Sequence, residues 1–322
     1  MFKSIHQLFV AKCLTALLAT AAVVLPAFAQ TAAVPCREAD VGLQVLGSGG
    51  PEVSDQRASS GYLVWRDGRA RVLIDMGPGS MLRFEQSGAQ VEDLEVILLT
   101  HLHADHSGDL PALVKGAFFT ERSVDLPVYG PTGNERMPAT GMFVESLFNA
   151  KDGAFRYLSY YLTGGESFRL LAHDIPAQGK APSTPVDDAR FRLTAVPVRH
   201  GAIPALAWRI DIAGRAIVIS GDMNGDNHTL ETLSAGADLL VAHHAVPEGA
   251  KGVERLLHMP PSVIGSIAAS AKVKRLVLSH RMNRTLGREK ESEQHIRKHY
   301  QGPLEFAEDG QCFPLAKPAR SN

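Results

Sequence analysis

The sequence predicts an α+β fold in which two β-sheets pack face to face under an outer cover of helices. Three observations predict it. Apolar runs of strand length recur in both halves of the 322-residue chain, with helical stretches between them. Two β-rich runs flank Asp67-Gly68 at hairpin spacing. Histidine and aspartate collect at the ends of apolar runs, where a rigid sheet can hold a site.

Residues 1–29 read as a cleaved signal peptide. Lys3 and Lys12 make a basic start, Leu14 to Ala29 is almost wholly apolar, and Ala27-Phe28-Ala29 fits the small-x-small cleavage rule, so Gln30 is the expected mature N-terminus. The run is short for a spanning helix. The expectation is a periplasmic or secreted protein with no stable membrane anchor after cleavage. Residues 30–322 are expected to form one domain.

Val41 to Leu46 alternates as a strand and enters the loop Gly47-Ser48-Gly49-Gly50-Pro51. Pro51 and the polar Ser54-Asp55-Gln56-Arg57 exclude a phosphate-binding helix start, which leaves a loop at the site rim. Tyr62 to Trp65 and Arg71 to Ile74 pair around Asp67-Gly68. A helix covers Ser80 to Ser87 and Gly88 stops it; Val96 to Leu99 is a buried strand, and Leu110 to Thr120 a helix. Pro127-Val128-Tyr129 is a short strand closed by Gly130-Pro131.

Residues 135–190 differ in character and are expected to form a lid-like insertion. A helical pattern from Ala139 to Asn149 leads into a stretch holding Phe155, Tyr157, Tyr160 and Tyr161, and Ile175 to Asp188 is irregular. The aromatic stretch reads either as a wall for a substrate or as packing. In the second half, Phe191 to Val198, Ala205 to Ile212, Ala216 to Ser220, Leu239 to Ala242 and Arg275 to Leu278 read as strands, and Ser262 to Ala271 as a helix.

The chain has 33 basic and 34 acidic residues; losing Lys3 and Lys12 with the signal leaves a net charge of about −3. A nucleic-acid-binding surface more often shows a basic excess. The expected partner is therefore a small-molecule anionic ester, with nucleic acid unlikely; a homodimer is an allowed assembly. Of three cysteines, Cys13 leaves with the signal. Cys36 and Cys312 remain near the two ends, either paired as an oxidising compartment permits or as two buried thiols. Neither is near the histidines in sequence.

His101-Leu102-His103-Ala104-Asp105-His106 places three imidazoles and a carboxylate within six residues, directly after Val96-Ile97-Leu98-Leu99. Imidazole with carboxylate suits zinc, iron or manganese better than calcium or magnesium, and metal at such a place points to hydrolytic chemistry. His200, Asp222, His280 and Asp75 each end a predicted strand in the same way.

This pattern, His101-x-His103-x-Asp105-His106 with His200, Ser220-Gly221-Asp222 and Leu278-Ser279-His280, resembles the metallo-β-lactamase superfamily over residues 41–310. The resemblance implies a four-layer αββα sandwich with two Zn2+ per chain, or Mn2+ or Fe2+. His101, His103 and His200 would hold one cation and Asp105, His106 and His280 the other. Asp222 would bridge them around a shared hydroxide, and Asp75 would support the ligands. A bridging carboxylate is unlike the zinc β-lactamases, and several stretches are similar to the tRNase Z/arylsulfatase-like branch. These are Val45 to Pro51, Pro204 to Ile210, Gly236 to Val241, and His258 followed by Pro261-Ser262.

In that branch the histidine matching His258 contacts the scissile group, which makes it a candidate catalytic residue with Asp105. The branch's His-Glu-Ala-Thr element reads His243-His244-Ala245-Val246 here. That leaves a general-acid role and a binding or packing role for His258 both open. Arg281 and Asn283 follow the last ligand and could reach a substrate anion, but surface hydrogen bonding is the favoured reading of both. The resemblance implies an exported binuclear hydrolase of phosphodiester or sulfate esters. The alternatives are a lactone, thioester or β-lactam hydrolase on the same site, and a redox or non-catalytic metal-binding protein.

Overall fold

A computed structural model describes residues 36–165 and 167–315; the expected signal peptide lies outside the described residues. Two seven-stranded sheets account for the strands among them. In the first, β1 (Val41–Gly47), β2 (Gly61–Arg66), β3 (Arg69–Met76), β4 (Val96–Leu98), β5 (Leu126–Pro131) and β6 (Leu170–Ile175) lie side by side in chain order. The second runs in the same way through β7 (Ser183–Asp187), β8 (Arg192–His200), β9 (Ile203–Ile212), β10 (Arg215–Ile219), β11 (Leu239–His243), β12 (Leu276–Ser279) and β13 (Leu304–Phe306). The last strand, β14 (Cys312–Leu315), returns to the first sheet outside β1.

Helices α1 (Ser80–Gln86), α2 (Ala104–Ser107), α3 (Leu110–Ala117), α4 (Thr140–Phe148) and α5 (Tyr160–Thr163) follow strands of the first sheet. Helices α6 (Leu230–Leu233), α7 (Gly252–Leu257), α8 (Pro261–Ser270) and α9 (Glu289–Ile296) follow strands of the second.

The four layers follow from the two-residue period of a strand, which sends alternate side chains to opposite faces. Val72 and Ile74 of β3 join Trp208, Ile217 and Val241 between the sheets. Leu73 and Met76 of the same strand join Leu110, Leu113 and Phe148 under the first helical layer. In β10, Ile217 and Ile219 face the sheet interface, while Ala216 and Val218 meet Leu230, Ile264 and Ile267 under the second helical layer. Strands covered on both faces need apolar residues on both, which is why they read as unbroken apolar runs. Each fully buried Val, Ile or Leu contributes about 1.5–3 kcal/mol relative to exposure. The fold is the expected αββα sandwich.

Residues 135–190 depart from a lid. Val144 and Phe148 of α4, with Leu158, Tyr161 and Phe168, are buried in the core outside the first sheet. β6 pairs in parallel with β5, and β7 pairs antiparallel with β8, so the segment carries the chain from one sheet edge to the other. The sequence reading passes over β6, β7, β13, β14 and α9. These strands are short or polar, as in Ser183-Thr184-Pro185-Val186-Asp187, and edge positions do not demand apolar residues on both faces.

Cys36 and Cys312 form a disulfide, which ties the start of β1's neighbourhood to β14. Strands β3 to β6, and β10 to β13, are parallel within their sheets. Ligands of open parallel sheets gather outside the carboxyl ends of the strands, and the histidines and aspartates stand there.

Candidate metal centre

Each polar side chain of the centre is delivered by a strand end. Asp75 lies at the end of β3, His101 just beyond β4, His103 immediately before α2, and Asp105 and His106 within it. From the second sheet come His200 at the end of β8, Asp222 beyond β10, His243 at the end of β11 and His280 beyond β12. Asp75 (φ 52°) and His280 (φ 53°) adopt left-handed backbone, a conformation uncommon outside glycine that turns the chain sharply at the strand end. Gly77 lets the motif sit close: a Cβ there would stand 2.0 Å from the Asp105 carbonyl oxygen.

Two groups of donors result. His101 Nε2 and His200 Nε2 lie 3.0 and 3.4 Å from His103 Nδ1, so three imidazole nitrogens converge on one point. Beside them, Asp105 Oδ2 lies 3.2 Å from His280 Nε2 and 3.5 Å from His106 Nε2. Asp222 stands between the groups. Its Oδ2 is 4.0 Å from His101 Nε2, 3.7 Å from His200 Nε2 and 3.7 Å from His106 Nε2, and its Oδ1 is 3.4 Å from His280 Nε2.

Two of the outward nitrogens are committed elsewhere. His106 Nδ1 donates to Asp75 Oδ2 at 2.8 Å, and His200 Nδ1 donates to the Leu257 carbonyl at 2.9 Å. Asp75 is fully buried and also accepts from the Thr100 amide and hydroxyl, both at 2.7 Å. Such partners fix the tautomer that leaves the inner nitrogen unprotonated, as a metal ligand must be. His106 Nε2 is buried without a hydrogen-bond partner. An orphaned imidazole nitrogen that faces two carboxylate oxygens fits a cation better than any arrangement of protein hydrogen bonds.

The electrostatics point the same way. Burial opposes the imidazolium of His106, yet Asp105, Asp75 and Asp222 outweigh it and hold its pKa well above the usual value. Burial also opposes the Asp222 carboxylate, and His280, His258 and His106 outweigh it, so that pKa falls well below the usual range. His101 is pushed well below its usual value by burial and then by His106. Imidazoles crowded this tightly cannot all be protonated, and carboxylates among them stay ionised.

The structure brings His101, His103, Asp105, His106, His200, Asp222 and His280 together, and it puts Asp75 behind them as a support. His258 joins the rim of the same centre. Its Nδ1 is buried, lacks a hydrogen-bond partner and lies 3.8 Å from Asp222 Oδ2. Burial and the charges of His280, His200 and Arg284 push its pKa down to about 3. His244 faces away from the centre, its Nε2 3.0 Å from Ser292 Oγ.

Sequence reading missed His243, whose Nδ1 donates to Asp222 Oδ1 at 2.8 Å. The signal was present, since His243 ends a strand as the other ligands do. Arg281 is no anion contact: it is buried and paired with Glu289 and Glu308. Asn283 binds Glu52 and Ser54 of the rim loop. The aromatic stretch is divided between core and surface: Tyr161 packs against Phe168 in the outer core and Tyr157 is exposed.

Comparison with known proteins agrees with this geometry. A protein family described as the beta-lactamase superfamily domain matches residues 70–281. Ribonuclease Z of Haloferax volcanii is 29% identical over 296 residues, covering 83% of this chain and 92% of that protein. Ribonuclease Z of Thermobifida fusca is 30% identical over 278 residues, covering 77% of this chain and 86% of that protein. Among solved structures, the short form of human tRNase Z superposes with a TM-score of 0.65 at 21% identity, covering 86% of this chain and all of the other.

These relatives contradict the expectation that nucleic acid is an unlikely partner. The expectation rested on net charge, which sums over the whole surface. Recognition of a phosphodiester is local, and cations bound at the centre would supply positive charge that the residue count omits.

Proposed function

The chain belongs to the metallo-β-lactamase superfamily, in its tRNase Z branch, and is a metal-dependent hydrolase acting on ester bonds; from that premise we propose that it cleaves phosphodiester bonds, RNA among them, at a centre of two divalent cations. The observation that carries the reading is the pair of donor groups meeting on Asp222. In this reading His101, His103 and His200 would hold one cation and Asp105, His106 and His280 the other, with Asp222 between the two groups. Zinc is the first choice for so many imidazoles, with manganese or iron as alternatives. Bound there, the cations supply Lewis acidity and lower the pKa of water at neutral pH.

The chain's own residues do the rest. Asp75 and the Leu257 carbonyl hold His106 and His200 in their ligating tautomers. His258, whose Nδ1 is buried at the rim without a hydrogen-bond partner, is assigned to the leaving oxygen. Its imidazolium is disfavoured by burial, but an anionic phosphodiester entering beside it brings the opposite charge that favours protonation. A labelled RNA, an aryl phosphodiester and an aryl sulfate, each assayed with zinc or manganese and then with chelator, test the reading. Metal-dependent cleavage of the two phosphodiesters is expected. No metal-dependent turnover on either refutes it.

Export belongs to the same proposal. It is supported by the basic and apolar start of the chain and by the Cys36–Cys312 disulfide, a bond that persists in oxidising compartments. Cell fractionation, with mass measurement of the mature N-terminus, is expected to find a protein beginning at Gln30 outside the cytoplasm. A full-length cytoplasmic product removes this part alone.

A further inference from the structure

The Asp222 carboxylate stands among six imidazoles. Contacts to His101, His106, His200, His258 and His280 are 3.4–4.0 Å, longer than good hydrogen bonds. The sixth differs: His243 Nδ1 donates to Asp222 Oδ1 at 2.8 Å. His243 closes β11, between β10 and β12, and its amide donates to Ser220 Oγ at 3.0 Å, so its backbone is held by the strand that carries Asp222. Its other ring nitrogen, Nε2, accepts from the Tyr62 hydroxyl at 3.0 Å, and the Tyr62 oxygen in turn lies 2.9 Å from Ser279 Oγ. Tyr62 is fully buried and belongs to β2 of the opposite sheet.

A run of polar contacts thus crosses the apolar layer between the sheets and ends on one oxygen of Asp222. The terminal torsion of an aspartate is broad and soft. A hydrogen bond to Oδ1 fixes that torsion and leaves Oδ2 facing His101, His200 and His106, the nitrogens of both donor groups.

We propose that Tyr62 and His243 are positioning residues that set the Asp222 carboxylate, so that its Oδ2 faces nitrogens of both donor groups. Neither touches substrate. The inference rests on the ligand set proposed above. It makes the first sheet, through Tyr62, part of the geometry at a ligand of the second.

The test measures zinc affinity by competition with a chelator, with absorption of the cobalt(II) form as a spectroscopic readout, on wild type and three variants. Tyr62→Phe removes only the hydroxyl. His243→Gln removes the donor at the Nδ1 position, and His243→Asn restores a donor close to it. Loss of such supporting partners costs about 10- to 100-fold in metal affinity. That loss is expected for Tyr62→Phe and His243→Gln, with an altered cobalt spectrum, lower kcat at saturating zinc and unchanged KM. His243→Asn is expected to recover most of the affinity.

A merely structural role would lower the unfolding temperature of the metal-free variants and leave the zinc affinity of the folded protein unchanged; that result overturns the proposal. Should Tyr62→Phe fail to fold, the His243→Gln and His243→Asn pair decides, since equal affinities in the two also overturn it. If wild type itself takes up no cation, the ligand set fails; if wild type binds two and the variants match it, only the positioning role fails.

Discussion

Asp75→Asn is the sharpest perturbation of the centre, because it keeps the shape and changes only the hydrogen-bonding pattern. Asparagine tolerates left-handed backbone, so the φ of 52° at this position survives the change. Asp75 accepts three donors on two oxygens: the Thr100 amide on Oδ1, and the Thr100 hydroxyl and His106 Nδ1 on Oδ2. An amide offers one acceptor and one donor. The Thr100 N–H cannot turn, so the carboxamide oxygen must stay with it, and the NH2 then faces the hydroxyl and His106. The hydroxyl can rotate. His106 answers by moving its proton from Nδ1 to Nε2, the nitrogen aimed at Asp105 and Asp222.

A protonated Nε2 cannot ligate. The expected loss is about 10- to 100-fold in affinity for one cation, or about 1.4–2.8 kcal/mol of binding free energy. The metal-free fold should lose at most about 1–3 kcal/mol for the imperfect buried pairing. Zinc titration against a competing chelator, with metal content per chain and the unfolding transition of the apo-protein, separates the two effects. An Asp75→Asn protein that folds and holds two zinc ions at wild-type affinity refutes the argument that Asp75 sets the tautomer of His106.

Further outcomes follow from the same geometry. Gly77→Ala places a Cβ 2.0 Å from the Asp105 carbonyl oxygen; this backbone clash should cost about 1–3 kcal/mol or more and reduce metal content, and a variant with normal metal content and stability contradicts it. Cys312→Ser opens a link across 276 residues of sequence, with an entropic ceiling of about 5 kcal/mol. Denaturant unfolding should show a lower midpoint, and an unchanged midpoint in oxidised wild type and variant would remove the stabilising role. Chelation should abolish hydrolysis and lower the unfolding temperature, since a ligand bound only by the native state stabilises it; full recovery is expected on adding zinc, and turnover that persists in chelator argues against the centre.

The candidate site was legible to an unusual degree because its largest piece is local. His101, His103, Asp105 and His106 lie within six residues at the end of one apolar run, and no long-range pairing is needed to place them together. His200, Asp222 and His280 were legible for a related reason: each ends a run whose side chains are buried on both faces, and a polar ligand at such a boundary stands out. Arg281 was misread because its basic character looks the same in sequence whether it faces solvent or Glu289 and Glu308. Residues 135–190 were misread because edge strands such as β7 carry polar residues and give no alternation to follow.

By itself, then, the sequence determined the layered fold, the strand-end placement of the ligands and the chemistry of the donor set, since these depend on residue type and on periods of two to four residues. Tertiary structure alone decided which nitrogens face inward and that Cys36 meets Cys312. It also decided that Tyr62, on the opposite sheet, reaches His243. These are consequences of strand register and sheet packing, which join residues 181 positions apart at 3.0 Å for reasons that no local pattern records.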